Sequence, residues 1–395
     1  MEQIRNAGRV LAPVARKTDM ILSSGLTEDM TFYLKTENLQ RTGSFKLRGA
    51  YYKMSLFNEE ERRRGVVACS AGNHAQGVAL AAQEFGISAT IFLPGAAPIS
   101  KIEATKKYGA EVRLSEGVYD DAYAEALEFA RETGATFLHP FDDLDVIAGQ
   151  GTVGLEIFEQ LPDAEAVVLP IGGGGLAAGV AFAVKSLMPG CKVYGVQAAG
   201  ADSMKESFRC NERVCVRNVS TFADGIAVRM PGQITYDLCR EYLDGVVSVS
   251  DDEIAATILA LIERQKLVSE GAGAAGVAAV LSGKLPLAGK KVCAVISGGN
   301  IDVNILSRVI NRGLLSSGRL TKLTIELIDK PGQLKEVSAI IAAEGANVIR
   351  VQYTPGGENM SINGCYLNIS METRNHEHLA SIRSSLEKAG FKLID

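Results

Sequence analysis

Through residues 1–312, short β-branched apolar runs alternate with longer stretches of helical periodicity. Val66–Cys69, Ala89–Leu93, Ala166–Ile171, Val193–Gln197, Val246–Val249 and Val292–Ser297 are almost unbroken apolar runs, which predicts strands buried on both faces. The segments between them predict helices over Asn73–Phe85, Ile99–Tyr108, Asp120–Thr133, Gly175–Leu187 and Asp251–Lys266. Alternation of this kind predicts an α/β architecture with a parallel sheet covered on both sides. Ligands of such sheets sit outside the carboxyl ends of the strands. Three glycine clusters fall there: Ser70-Ala71-Gly72-Asn73, Gly172–Gly175 and Ser297-Gly298-Gly299-Asn300.

Near residue 313 the pattern changes. Residues 313–319 are small and predict a linker. Beyond it, Leu323, Ile325 and Leu327 alternate with polar neighbours, as in a half-buried strand. A turn at Asp329–Gly332 precedes a helix with Leu334, Val337, Ile340 and Ile341 on one face. A strand at Asn347–Tyr353, a glycine-rich loop, a strand at Tyr366–Met371, a helix over Glu377–Ala389 and a strand at Phe391–Ile394 complete the order β-α-β-β-α-β. That is a ferredoxin-like α+β module over residues 320–395.

Composition narrows the function. The 395 residues are 47% hydrophobic and 22% charged, so a full core needs no disulfide or metal staple. Forty-one basic residues against 46 acidic give a net charge of −5, and the longest basic run is Arg62-Arg63-Arg64. No nucleic-acid partner is expected on such a surface. The seven cysteines (69, 191, 210, 215, 239, 293 and 365) include no Cys-x-x-Cys pair, which points to reduced thiols rather than a disulfide framework or a zinc site. No apolar run reaches membrane-spanning length and the first residues lack a signal-peptide core. The expectation is a soluble cytoplasmic protein with no membrane partner.

Glycine is the compositional outlier, with 41 copies. The four in a row at Gly172, Gly173, Gly174 and Gly175, between a strand and a helix, form an anion cradle: backbone N–H groups can approach a phosphate and the helix N-terminus adds its dipole. A tight turn with nothing bound is the plainer reading, although two glycines would suffice for that. No Gly-x-x-x-x-Gly-Lys-[Ser/Thr] is present, which removes a P-loop nucleotidase. Gly172-x-Gly174-x-x-Ala177 and Gly149-x-Gly151-x-x-Gly154 match a dinucleotide fingerprint loosely. The first lacks an acidic residue at the end of the next strand, where Gln197 stands, and the second lacks a preceding strand. A lysine near a phosphate site has another use, as the Schiff-base partner of pyridoxal phosphate. Lys46, among the small residues of Thr42–Ala50, is that candidate.

Ser44-Phe45-Lys46-x-Arg48-Gly49-Ala50, Ser70-Ala71-Gly72-Asn73-His74, Gly172–Leu176 and Ser297-Gly298-Gly299-Asn300 resemble, in this order and spacing, the threonine dehydratases (threonine ammonia-lyases). These are fold type II, tryptophan-synthase-β-like enzymes dependent on pyridoxal 5'-phosphate. The resemblance covers roughly residues 5–312, and the C-terminal module resembles an ACT domain. It implies a catalytic domain over 1–312, built on two parallel-sheet subdomains with the smaller inserted at about 50–145. It also implies dehydration and deamination of L-threonine to 2-oxobutanoate and ammonia, and of L-serine to pyruvate. Lys46 would carry the cofactor and act as base, Phe45 would pack on its ring, and Asn73 would hydrogen-bond its phenolic oxygen. Gly172–Gly175 and Leu176 would hold its phosphate, and Ser297 would meet its pyridine nitrogen. Ser70, Ala71, Gly72, Asn73 and His74 would take the substrate carboxylate.

Relatives within the class differ at readable places. Cysteine and threonine synthases usually carry Asp after the lysine, where Leu47 stands here, and cysteine synthases carry Thr in place of His74. Serine racemases, the alternative reading, carry a second serine where this chain has Ala71, and that serine supplies the proton for inversion. The divalent-metal carboxylates of many racemases fall on Gln197 and Ser203, so no metal is expected. His376 and His378 are expected as surface residues, and Glu270 as a secondary part of the active-site wall. A nicotinamide oxidoreductase and a silent amino-acid sensor are the rivals from other classes. The expected partners are an amino-acid substrate, an amino-acid effector at the ACT module near Asp329–Leu334, and further copies of the chain in a dimer or tetramer.

Overall fold

A computed structural model describes residues 1–395 apart from 96, 98, 356–361 and 395. It divides into two units, Met1–Val303 and Asn304–Asp395.

The first unit carries two sheets. One has six strands in the order Met20–Leu22, Thr31–Lys35, Lys291–Val295, Ala166–Pro170, Lys192–Ala198 and Gly245–Val249, parallel throughout except for the first pair. The other is parallel, in the order Glu111–Ser115, Ala89–Pro94, Val66–Cys69 and Thr136–Phe137. Val66–Cys69 and Ala166–Pro170 are buried at every position, as strands between two helical layers must be. Val167, Leu169, Val193, Cys293 and Val295 pack against Leu176, Val180 and Val184 of the helix Gly175–Leu187. The smaller core sets Ala68, Ile91 and Leu93 against Val78 and against Leu47 and Met54 of the helix Lys46–Ser55.

A helix over Leu144–Gln160 joins the two cores. A Cβ at Gly149 would lie 2.6 Å from the Arg48 carbonyl oxygen, one at Gly151 2.6 Å from Ile4 Cδ1, and one at Gly154 2.8 Å from Ala183 Cβ. The spacing that imitates a dinucleotide fingerprint is thus a seam along which helices approach closely.

Two residues past Lys46, Arg48 enters a buried charge cluster. Its guanidinium grips Glu37 at 2.7 and 2.8 Å and Glu156 at 2.6 and 3.0 Å, and Lys35 reaches Glu156 at 2.6 Å. Thr18 donates to Glu37 and Thr152 accepts from Arg48, so the two cations and two carboxylates are paired and hydrogen-bonded.

The second unit has an antiparallel sheet in the order Asn347–Pro355, Gly364–Glu372, Leu320–Ile328, Lys392–Ile394. Val337 and Ile341 of the helix Gln333–Ala343, with Ile382 and Leu386 of the helix His376–Lys388, pack on Leu323, Ile325, Leu327, Leu367 and Ile369. The glycine-rich loop expected before Tyr366 lies largely outside the described residues. Two expectations need correction. The stretch 313–319 is not all linker: the helix Val303–Ser316 runs through a buried Gly313 and stops short of Gly318, whose φ is +67°. His378 is buried rather than on the surface, because its ring accepts from the Arg374 backbone N–H and bonds the Glu344 carbonyl. His376 stays exposed. Among the described residues no helix is long and apolar enough to cross a membrane.

Candidate active site

The helix Lys46–Ser55 begins at the lysine itself, with Phe45 as its N-cap. The Phe45 N–H donates to the Ser297 carbonyl, and Ser44 bridges to Gly298, so the start of this helix is stitched to the end of the strand Lys291–Val295. The helix Asn73–Phe85 begins where the strand Val66–Cys69 ends, and Gly174 at φ +103° caps the helix Gly175–Leu187 where Ala166–Pro170 ends. Three strand ends therefore converge. Phe45 and Lys46, Ser70–His74, Gly172–Leu176 and Ser297 all line one cavity of about 750 Å³.

Lys46 Nζ lies 5.4 Å from the Phe45 ring centroid and donates to the Pro140 carbonyl at 2.8 Å. Burial pulls its ammonium down to about 8, against the pull of Glu270, which favours the charged form. The amine is therefore readily neutral and nucleophilic. At the tetraglycine loop side chains are excluded by packing: a Cβ on Gly173 would sit 2.4 Å from Phe141 ring carbons, and one on Gly174 2.8 Å from Thr235 Cβ. The opening turn of the following helix leaves its amides to face an anion.

The loop Ser70–His74 offers a second, shorter cradle. Ser70 Oγ accepts from the Gly72 N–H at 3.2 Å, which orders the turn before the helix. His74 bonds the Leu138 carbonyl at 2.9 Å, and burial, then the Lys46 charge, depress it to about 3, so it stays neutral. The Asn73 amide donates to Glu270 at 2.6 Å and accepts from Asn300 at 2.7 Å. Glu270 is pushed up to about 7, by burial and then by Asp224.

Several residues here carried no role, or a minor one, in the sequence reading. Glutamates are usually solvated, yet Glu270 is buried beside Asn73. Asn300 closes the run Ser297-Gly298-Gly299-Asn300, whose sequence gives it no task of its own. His139 follows a two-residue strand too short to read; its Nδ1 accepts from the Asp142 N–H at 2.8 Å. Phe141 walls the tetraglycine loop. Gln197, at the end of its strand, accepts from the Lys205 N–H, and Ser203 donates to the Val228 carbonyl. Among the described residues no group of three or more His, Cys, Asp or Glu could hold a metal ion.

The donor set fits pyridoxal phosphate. It combines a lysine whose amine is easily neutral, a glycine cradle on a helix N-terminus for a phosphate, and an asparagine with an amide hydrogen to spare. Comparison with known proteins agrees. Residues 11–298 match the model of the pyridoxal-phosphate dependent enzyme family, and residues 316–389 match an ACT domain. The chain is 51% identical over 395 residues to an L-threonine ammonia-lyase of Thermotoga maritima, covering 100% of this chain and 98% of the relative. Among solved structures, it is similar to the processed form of threonine deaminase isoform 2 from Solanum lycopersicum: TM-score 0.75, 40% identity, 79% of this chain and 92% of that one. Maize serine racemase is similar at TM-score 0.75 and 33% identity, over 80% and 98% of the two chains.

Proposed function

The chain belongs to the pyridoxal-phosphate-dependent enzymes and carries an ACT domain; from that premise we propose that it converts L-threonine to 2-oxobutanoate and ammonia, and L-serine to pyruvate. The observation that carries this reading is the convergence of Lys46, Asn73, Gly172–Leu176 and Ser297 on one cavity, in a chain half identical to an L-threonine ammonia-lyase along its whole length.

When bound, pyridoxal phosphate supplies a carbonyl that condenses with amines and a ring that withdraws electrons from the substrate Cα. Gly172–Leu176 would hold its phosphate, Phe45 would pack on the ring, Asn73 would donate to the phenolic oxygen and Ser297 would face the ring nitrogen. Lys46 would be the covalent anchor, and its Nζ, when free, would take the Cα proton, a task suited to an amine whose charged form is disfavoured by burial. Ser297 would offer the ring nitrogen a hydroxyl rather than a carboxylate, a partner that would not hold it protonated and would favour loss of the β-hydroxyl. The helix N-terminus at Ser70–His74 suits the substrate carboxylate. Ala71 has no proton to deliver to the far face of Cα, which favours elimination over the racemase reading.

The test is the absorption spectrum of the purified protein before and after threonine, with borohydride trapping and assay of the 2-oxo acid. A protein with no borohydride-sensitive band and no 2-oxobutanoate would overturn the assignment.

The ACT unit is assigned an amino-acid effector at the turn Asp329–Leu334, where Gly332 at φ +99° caps the helix Gln333–Ala343. We also assign the chain to the cytoplasm, consistent with seven free cysteines, and to a homodimer or homotetramer. Isoleucine or valine should raise the melting temperature or shift the rate, and sedimentation should give a mass above one chain. No response to any amino acid would leave the unit a structural one.

A further inference from the structure

The Thr42 carbonyl fixes the direction of a hydrogen-bond chain that ends on the cavity wall. A carbonyl only accepts, so the Asn300 side chain must present its nitrogen there, and Asn300 Nδ2 donates to Thr42 O at 2.7 Å. The second hydrogen on that nitrogen goes to Asn73 Oδ1, also at 2.7 Å. The oxygen of Asn73 is thereby settled, and its nitrogen must lie on the other side, where it donates to Glu270 Oε1 at 2.6 Å. One Nδ2 hydrogen of Asn73 then remains without a partner among the described residues, on an amide that lines the cavity.

The backbone is shaped around this chain. Gly43 has φ +72°, and a Cβ there would lie 2.3 Å from Asn300 Oδ1. A side chain at position 43 would meet both backbone strain and the Asn300 amide. Gly299 donates its N–H to the Gly43 carbonyl at 2.9 Å, which ties the two loops together on the same side.

We propose that Asn300 is a positioning residue: anchored on the Thr42 carbonyl, it holds the Asn73 amide with its donor side toward the cofactor. The proposal rests on the reading that Asn73 donates to the cofactor's phenolic oxygen, and it adds that the direction of that donor is set from outside the cavity. Without Asn300, the bond to Glu270 alone orients the Asn73 amide, and an amide that turns over offers its oxygen, which would repel the phenolic oxygen.

The experiment compares Asn300→Ala, Asn300→Asp, Asn73→Ala and the double variant Asn73→Ala/Asn300→Ala, each loaded with pyridoxal phosphate after its fold is checked by circular dichroism. Asp keeps the size of Asn but donates to neither oxygen, so it separates hydrogen bonding from packing. Both Asn300 variants should alter the visible band of the bound cofactor in the same direction as Asn73→Ala. They should also weaken cofactor affinity by about 5–10-fold, the size of one hydrogen bond. The double variant should be no worse than Asn73→Ala alone. An Asn300→Asp spectrum and affinity matching the wild type, or effects that add in the double variant, would overturn the positioning role while leaving Asn73 in place. If Asn73→Ala itself leaves spectrum and affinity untouched, the Asn73 reading falls, and the role of Asn300 falls with it.

Discussion

Asn73 and Glu270 are joined by a 2.6 Å hydrogen bond at the cavity wall, between an amide on the first turn of one helix and the carboxyl of the residue that precedes another. They stand far apart in the sequence, and each does something the other needs. Glu270 accepts from the amide at the cavity wall, and the amide is one of the few groups favouring the ionised carboxyl against burial and the nearby Asp224.

That balance gives a pH dependence. The carboxyl is pushed up to about 7, so it is ionised above that pH and neutral below it. Losing the charge weakens the bond to Asn73. The value of kcat/KM should therefore rise through about pH 7, and Glu270→Gln should flatten that rise while lowering the plateau by roughly 3–10-fold. Rate profiles from pH 5.5 to 9 decide it; an unchanged acid limb in the variant would assign the titration elsewhere.

Lys46→Ala removes the residue proposed as both covalent anchor and base. Loss of proton transfer alone should cost about 10²–10⁴-fold in kcat, and borohydride should no longer fix the cofactor to the chain. In the wild-type apoprotein, cofactor capture needs the neutral amine. Its rate should climb toward about pH 8, where burial has brought the lysine, rather than toward the ordinary lysine range. Stopped-flow absorbance across pH measures it.

Ala71→Ser places a hydroxyl on the cavity-lining loop before Asn73. Some D-serine should appear from L-serine, with elimination still dominant, because a catalytic acid needs a supporting shell as well. Chiral analysis of serine recovered after partial turnover is the measurement, and a variant that makes no more D-serine than the wild type would refute the expectation.

His74 makes the first unit acid-labile. Its folded-state value is depressed from 6.5 to about 3, by burial first and then by Lys46. The unfolded chain takes up the proton below pH 6.5 and the folded chain does not, so stability is complete above 6.5 and drains away as pH falls toward 3. By pH 5 the loss is about 2 kcal/mol from this residue. Urea midpoints at pH 7 and pH 5 should differ less in His74→Gln than in the wild type.

Much of this was legible in the sequence, because the strands that carry the site are buried on both faces. The runs at 66–69 and 166–170 have no polar alternation to confuse, and the glycines after them mark the loops. Thr31–Lys35 was harder: it buries Phe32 and Leu34 but is flanked by charge and short turns. Roles set by long-range partners were the least readable. Nothing near Asn300 announces that its amide closes a chain from Thr42 to Asn73, and Glu270 looks like any helix-start glutamate until its partner is seen. Gly149, Gly151 and Gly154 imitated a binding motif because close helix packing and close ligand approach both demand the absence of a side chain.

The four-charge cluster around Arg48 bears on how this chain tolerates change. Lys35, Glu37, Arg48 and Glu156 cancel one another, and none of them lines the cavity. Removing any one leaves an unbalanced charge in this largely buried cluster, at a cost of about 3–5 kcal/mol, a large part of a typical protein's stability. A screen that scores survival on threonine would thus rank these positions beside Lys46, and Arg48→Lys would fail with the rest for want of a second arm to hold Glu156. Measuring cellular abundance alongside growth separates the two groups: variants at Lys46 accumulate as silent protein, and variants at Arg48 disappear.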